Sequence, residues 1–205
     1  FYEISQYAIG TVGIQIIFVE SDGSVDSDKY NWTESEMKQT EKGIKKGLDF
    51  WSEKYPFEYG KLEFVFKDSV IGTTGIESST RTADGWFHFD DYRDVVVDTL
   101  TDVGCGNMHD TRAMQYPSLP SSLKNSGNEF KILVLSCAND VRNDLDTDWA
   151  TIIFVPYTSY QVDGLAFGFM DGAFMQDRYM VTVNGGGLIP AHEWAHMVGA
   201  TDMIE

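Results

Sequence analysis

Residues 12–20 (Val-Gly-Ile-Gln-Ile-Ile-Phe-Val-Glu) are so dense in β-branched side chains that they read as a central strand, and the next fifty residues fix how that strand is used. A polar turn over residues 21–28 leads to Thr33, with Glu36 three positions on, the T-x-x-E pattern of a helix N-terminus. Trp32 is placed to staple onto Met37. Met37, Ile44, Leu48, Trp51 and Tyr55 then recur at helical spacing until Pro56 closes the segment. Residues 62–70 alternate apolar and polar positions, as a second strand does. A strand, a long helix and another strand in succession imply a right-handed crossover, hence a parallel pair with the helix on one face. The expected class is therefore α/β, with helices packed on a mostly parallel sheet.

The remaining punctuation extends this pattern. Residues 71–84, rich in Gly, Ser and Thr, read as an irregular loop, and residues 86–89 (Trp-Phe-His-Phe) as a short strand or packed loop. His88 among those aromatics is expected in the core or at its rim rather than on a metal. Tyr92, Val95, Val96, Leu100 and Val103 predict a second helix over residues 91–103, ended by Gly104. Residues 106–128 read as the longest loop; His109 within it is either a surface residue or a group behind a site. The nearly continuous apolar run 130–137 (Phe-Lys-Ile-Leu-Val-Leu-Ser-Cys) is expected to be a strand covered on both faces, with an acidic loop over 139–148 after it. Residues 151–155, stopped by Pro156, and residues 179–183 predict two further strands. Residues 184–187 (Asn-Gly-Gly-Gly) then make a hinge, and Pro190 suits the first turn of a last helix.

That last helix carries the chemistry. Residues 191–202 (Ala-His-Glu-Trp-Ala-His-Met-Val-Gly-Ala-Thr-Asp) contain H-E-x-x-H, a zinc-hydrolase pattern. Residues four apart share a helix face, so His192 and His196 can offer two imidazole nitrogens to one ion. Glu193 is placed to reach a metal-bound water rather than the metal. Gly199 is suited to ending the helix and turning the chain, which brings Asp202 back as a third ligand. The competing reading is a buried helix whose two histidines are satisfied by hydrogen bonds.

His192-Glu193-x-x-His196-x-x-Gly199-x-x-Asp202 resembles the extended zinc signature of the metzincin metalloproteases, in the minority form with Asp at the last position that snapalysin-type enzymes carry. Gly164-Leu165-Ala166, about thirty residues upstream, resembles the edge-strand segment of adamalysin- and matrixin-like members, along which substrate binds as an added strand. The resemblance implies a twisted mixed, mostly parallel sheet with two long helices plus the zinc-binding helix. It implies one catalytic domain over residues 1–205, lacking most of the C-terminal subdomain of that family, which a further segment or another chain would complete. It also implies a zinc-dependent endopeptidase acting on protein or peptide substrates through a zinc-activated water, with Glu193 as general base. The alternative is a catalytically weak or inactive metzincin-like module serving as a structural or interaction subunit of an exported assembly.

Composition narrows the setting. A net charge of −17 argues against nucleic acid and against anionic membrane surfaces as partners. No apolar run approaches the length of a membrane span. The opening Phe1-Tyr2-Glu3 fits a processed mature chain, and Asn31-Trp32-Thr33 is a glycosylation sequon; both point to a secreted or extracellular protein. Cys105 and Cys137 are the only two cysteines, and an exported protein would pair them, the alternative being two separate buried thiols. Asp144-x-Asp146-x-Asp148 begins like a calcium loop but has Trp149 where the turn Gly belongs, and Asp22, Asp26 and Asp28 form a second acidic turn. Both are candidate Ca2+ sites, with a solvated acidic loop as the bland reading.

Overall fold

β1 (Gly10–Ser21) is the strand on which the sheet is built, with every residue from Val12 to Val19 buried. In the computed structural model, residues 10–24, 31–54, 60–75, 89–107, 109, 129–156, 166–168, 179–182, 191 and 194–195 are described. β1 pairs in parallel with β2 (Leu62–Phe66) and β3 (Val70–Thr74) on one edge and with β4 (Trp149–Pro156) on the other. Beyond β4 lies β6 (Tyr179–Thr182), also parallel, and then β5 (Ala166–Gly168), antiparallel to β6. The sheet order is β2-β1-β4-β6-β5, so β5 is the end strand among the described residues. This is the mixed, mostly parallel α/β sheet that the sequence predicts.

The period-2 alternation of β1 and β4 sorts the core into two layers. Val12, Ile14, Ile16 and Phe18 of β1, with Ile153 and Val155 of β4, face α1 (Glu34–Lys54). Ile17 and Val19, with Ala150, Ile152 and Phe154, face α2 (Phe89–Asp102) and α3 (Glu129–Leu145) on the opposite side. Helices thus cover both faces of the sheet, which is why β1 and β4 are apolar on both sides.

α1 begins as predicted. The Thr33 backbone N–H and hydroxyl both donate to Glu36 Oε2, at 2.9 and 2.6 Å, and the Glu36 N–H donates back to Thr33 Oγ1 at 3.3 Å. Trp32 is buried, its N–H donating to Glu20 Oε1 at 2.6 Å and its indole N–H to the Val19 carbonyl at 3.3 Å, so the helix entry is tied to the end of β1. Replacing Thr33 by Ala should cost about 1 kcal/mol through the lost cap, read as a lower denaturant midpoint at unchanged m-value. Thr40, Ile44, Gly47 and Leu48 form the buried face, and Met37 and Trp51 pack against the same core.

Two local expectations are overturned. The run 130–137 belongs to helix α3, not to a strand, and α3 also absorbs residues 139–145 of the supposed acidic loop. Among the described residues there are therefore three long helices where two are expected. Every residue from Leu133 to Asn139 is buried, because α3 is enclosed by the sheet, by α2 and by the segment just after α2. The supposed strand 62–70 is also broken. β2 stops at Phe66, and the last residue of that stretch, Val70, opens β3, which runs to Thr74 and takes part of the supposed loop 71–84 into the sheet.

α2 and α3 end alike. The Cys105 N–H reaches the Leu100 carbonyl at 2.9 Å and the Gly104 N–H reaches Thr101 at 3.1 Å, with Gly104 at φ 65°. The Thr147 N–H reaches Arg142 at 3.1 Å and the Asp146 N–H reaches Asn143 at 3.4 Å, with Asp146 at φ 51°. Both are Schellman endings, the second with Asp as its left-handed residue. Immediately beyond the first, Cys105 is disulfide-bonded to Cys137 in the middle of α3. Gly106, at φ 82°, lies so close to α3 that a Cβ there would stand 2.5 Å from the Leu133 carbonyl oxygen and 2.8 Å from the Cys137 nitrogen. Gly106→Ala should destabilise the fold by about 1–3 kcal/mol, since backbone atoms cannot step aside, and calorimetry would record the lowered midpoint.

Candidate metal centre

Ala191, Trp194 and Ala195 are the described residues of the H-E-x-x-H segment, and all three are helical. Ala191 and Trp194 are buried, at 7% and 5% exposure, and Ala195 is half-buried. Positions i, i+3 and i+4 form the inward stripe of a surface helix, so this turn lies on the sheet as an amphipathic helix would. Trp194 belongs to the core layer that holds α1, the buried cluster that also contains Val12, Ile14, Phe18 and Ile44. Its ring meets Phe64 of β2 edge-on, with centroids 4.9 Å apart and planes at 84°. From α1, the Trp51 indole N–H donates to the Ala191 carbonyl at 2.7 Å. The Trp194 indole N–H is buried and has no acceptor among the described residues.

His192, Glu193, His196 and Asp202 lie outside the described residues, as do Gly164, Leu165, Gly199, Pro190 and the 184–187 hinge. Of the Gly164-Leu165-Ala166 segment, Ala166 is described: it is the first residue of β5, the end strand among the described residues, and pairs with Thr182 of β6. Tyr55, Pro56, Asp26, Asp28 and His88 also lie outside the described residues. His109 is exposed, and its N–H donates to Asn107 Oδ1 at 2.8 Å. Asn107 in turn donates its N–H to Ser136 Oγ of α3 at 3.0 Å, so His109 belongs to the layer across the sheet from Trp194.

Among the described residues, no three His, Cys, Asp or Glu side chains are grouped as metal ligands. Two of the three carboxylates of 144–148 have protein partners. Asp144 pairs with Lys67 at 2.5 Å, and Asp148 accepts from the Thr11 N–H and hydroxyl at 2.8 and 3.0 Å. Asp22 accepts the Ser24 N–H at 2.6 Å, an Asx turn at the end of β1.

The chain matches no family model and no curated protein. The reading of this centre therefore stands on its own residues. Two that sequence reasoning overlooks are Trp194 and Phe64, and a third, Trp51, it assigns only to the helix face. The inward spacing of Ala191, Trp194 and Ala195 is visible in the sequence once H-E-x-x-H is treated as an amphipathic helix. The Trp51 hydrogen bond has no signal in the sequence, because it joins residues 140 positions apart.

Proposed function

We propose that the protein is a zinc-dependent endopeptidase of the metzincin type. The observation that carries the reading is the helical, inward-packed turn at Ala191, Trp194 and Ala195. Helical spacing is the condition under which His192 and His196, four apart, serve one ion. With Ala191, Trp194 and Ala195 forming the core-facing stripe, the same spacing predicts a different heading for the two histidines. The donor set of two imidazoles and one carboxylate suits zinc, and His192, His196 and Asp202 would hold it. Bound zinc would supply Lewis-acid polarisation of the scissile carbonyl and a lowered pKa for a water.

The chain's own residues carry the rest. A Glu193 carboxylate oxygen takes the proton of the attacking water and returns it to the amide nitrogen that leaves. Substrate extends along β5, whose position at the end of the sheet among the described residues and antiparallel direction support an added-strand mode, with Gly164, Leu165 and Ala166 offering main-chain groups. The Cys105–Cys137 disulfide supports a secreted or extracellular setting, since such bonds persist where the environment is oxidising. Among the described residues, no helix is long and apolar enough to cross a membrane.

Digestion of an unstructured protein such as casein, with and without a chelator, tests the proposal. Cleavage that stops with chelation and returns with zinc is expected. Cleavage unaffected by chelation would remove the metallopeptidase reading, and zinc binding without cleavage would favour the non-catalytic module.

A further inference from the structure

We infer that Trp51 is a positioning residue for the metal-bearing helix, acting through the peptide group that leads into His192. The inference rests on the zinc reading above. The carbonyl that accepts the Trp51 indole N–H at 2.7 Å is that of Ala191, and it belongs to the peptide unit joining Ala191 to His192. The bond therefore grips the backbone one residue before the first expected ligand. It crosses from α1, whose inward face is locked on the sheet by Ile44 and Leu48, both with no exposed surface.

Three positions further along, the Trp194 ring is held edge-on by Phe64 of β2. Two anchors on the same side of one helical turn, one polar and one aromatic, restrain both the rotation of the turn about its axis and its slide along the sheet. A carbonyl already inside a helix needs no second donor for its own stability. An aromatic body with a directed N–H meets it nevertheless, and that geometry suits holding a ligand set to the tolerance a metal site requires. The flanking Phe50 contacts Trp51 edge-on with centroids at 5.6 Å and is itself 46% exposed, so it touches Trp51 without taking part in the hydrogen bond.

Cobalt(II), whose visible absorption reports coordination geometry, is the probe. Trp51→Phe keeps an aromatic ring and removes the N–H; Phe50→Ala keeps the N–H and removes a neighbour. The full chain with Trp51→Phe is expected to show altered cobalt bands and about tenfold weaker cobalt binding in competition with a chelator. Phe50→Ala should match the wild type. Should Trp51→Phe fail to fold by circular dichroism, the wild type itself supplies the test. Its Trp51 indole N–H resonance in a 15N-labelled sample is expected to shift as zinc is added. Cobalt bands and affinity unchanged in a folded Trp51→Phe protein would overturn the positioning role, as would equal changes in both variants or an indole resonance unmoved at saturating zinc. A wild-type chain that takes up no cobalt would overturn the zinc reading, and this inference with it.

Discussion

Glu193→Ala should lower kcat/KM for peptide cleavage by about 10²–10⁴-fold while leaving zinc bound. That corresponds to about 3–5 kcal/mol of transition-state stabilisation. The expectation comes from what the residue is asked to do. In the H-E-x-x-H pattern the histidines are the ligands, and the glutamate handles the proton of the attacking water. Adjacent positions on a helix differ by about 100° in heading, so the residue before inward-packed Trp194 is expected to head away from the core. Trp194 packs on Phe64 and into the core, and substitution at its neighbour should leave that packing, and hence the fold, in place. Steady-state kinetics with a quenched-fluorescence peptide, alongside zinc content and a melting curve on the same sample, separates the effects. Loss of zinc or of the fold together with activity would mean that Glu193 is structural.

The second large effect lies across the sheet. Replacing Cys105 and Cys137 together by Ala should cost about 3–4 kcal/mol, since the bridge closes a loop between positions 32 residues apart. For a chain of this size that is roughly a 10 °C fall in melting temperature. The bridge lies where α2 has just ended and the chain runs against the backbone of α3 at Gly106, so it holds a close contact that side chains alone do not fill. Differential scanning calorimetry of the wild type with and without reductant should reproduce the shift. Activity of the folded protein should persist below the lowered melting point, because the bridge joins elements on the face opposite Trp194. A reduced protein that melts with the oxidised one would show the bridge to be dispensable.

Much of the fold is legible in the sequence because local signals agree. The capping box at Thr33 and Glu36, the apolar face of α1 and the β-branched density of β1 each point to the element found. α3 is not legible for a physical reason. A helix buried all round leaves a continuous apolar run, and over eight residues that run also fits a strand covered on both faces. Its helical spacing, Leu133, Val134, Cys137, Ala138 and Val141, emerges only when the window extends into the acidic stretch read as a loop.

The break between β2 and β3 is hidden in a different way. The ladder runs Ile14↔Phe66 and resumes at Ile17↔Val70, so three residues, Lys67 to Ser69, stand opposite two, Gln15 and Ile16. Such an extra residue is a bulge. The buried Gln15 side chain satisfies the disrupted ladder by donating to the Asp68 carbonyl at 2.8 Å. Past the break, Gly72 reads as loop, yet it sits in β3 because α2 lies against it: a Cβ there would stand 2.4 Å from the Thr99 methyl carbon. For the candidate centre, the sequence supplies two histidines at helical spacing with a glutamate beside the first, and it marks Trp51 as an inward residue. Which carbonyl Trp51 meets depends on how α1 and the last helix lie together on the sheet, a tertiary fact with no local signature.

The most direct measurement is zinc stoichiometry by elemental analysis after equilibrium dialysis, on the wild type and on a His192→Ala, His196→Ala double variant. One tightly held zinc per wild-type chain, and none in the variant, is the predicted result. A wild-type chain without zinc, or a variant that retains it, would contradict the account.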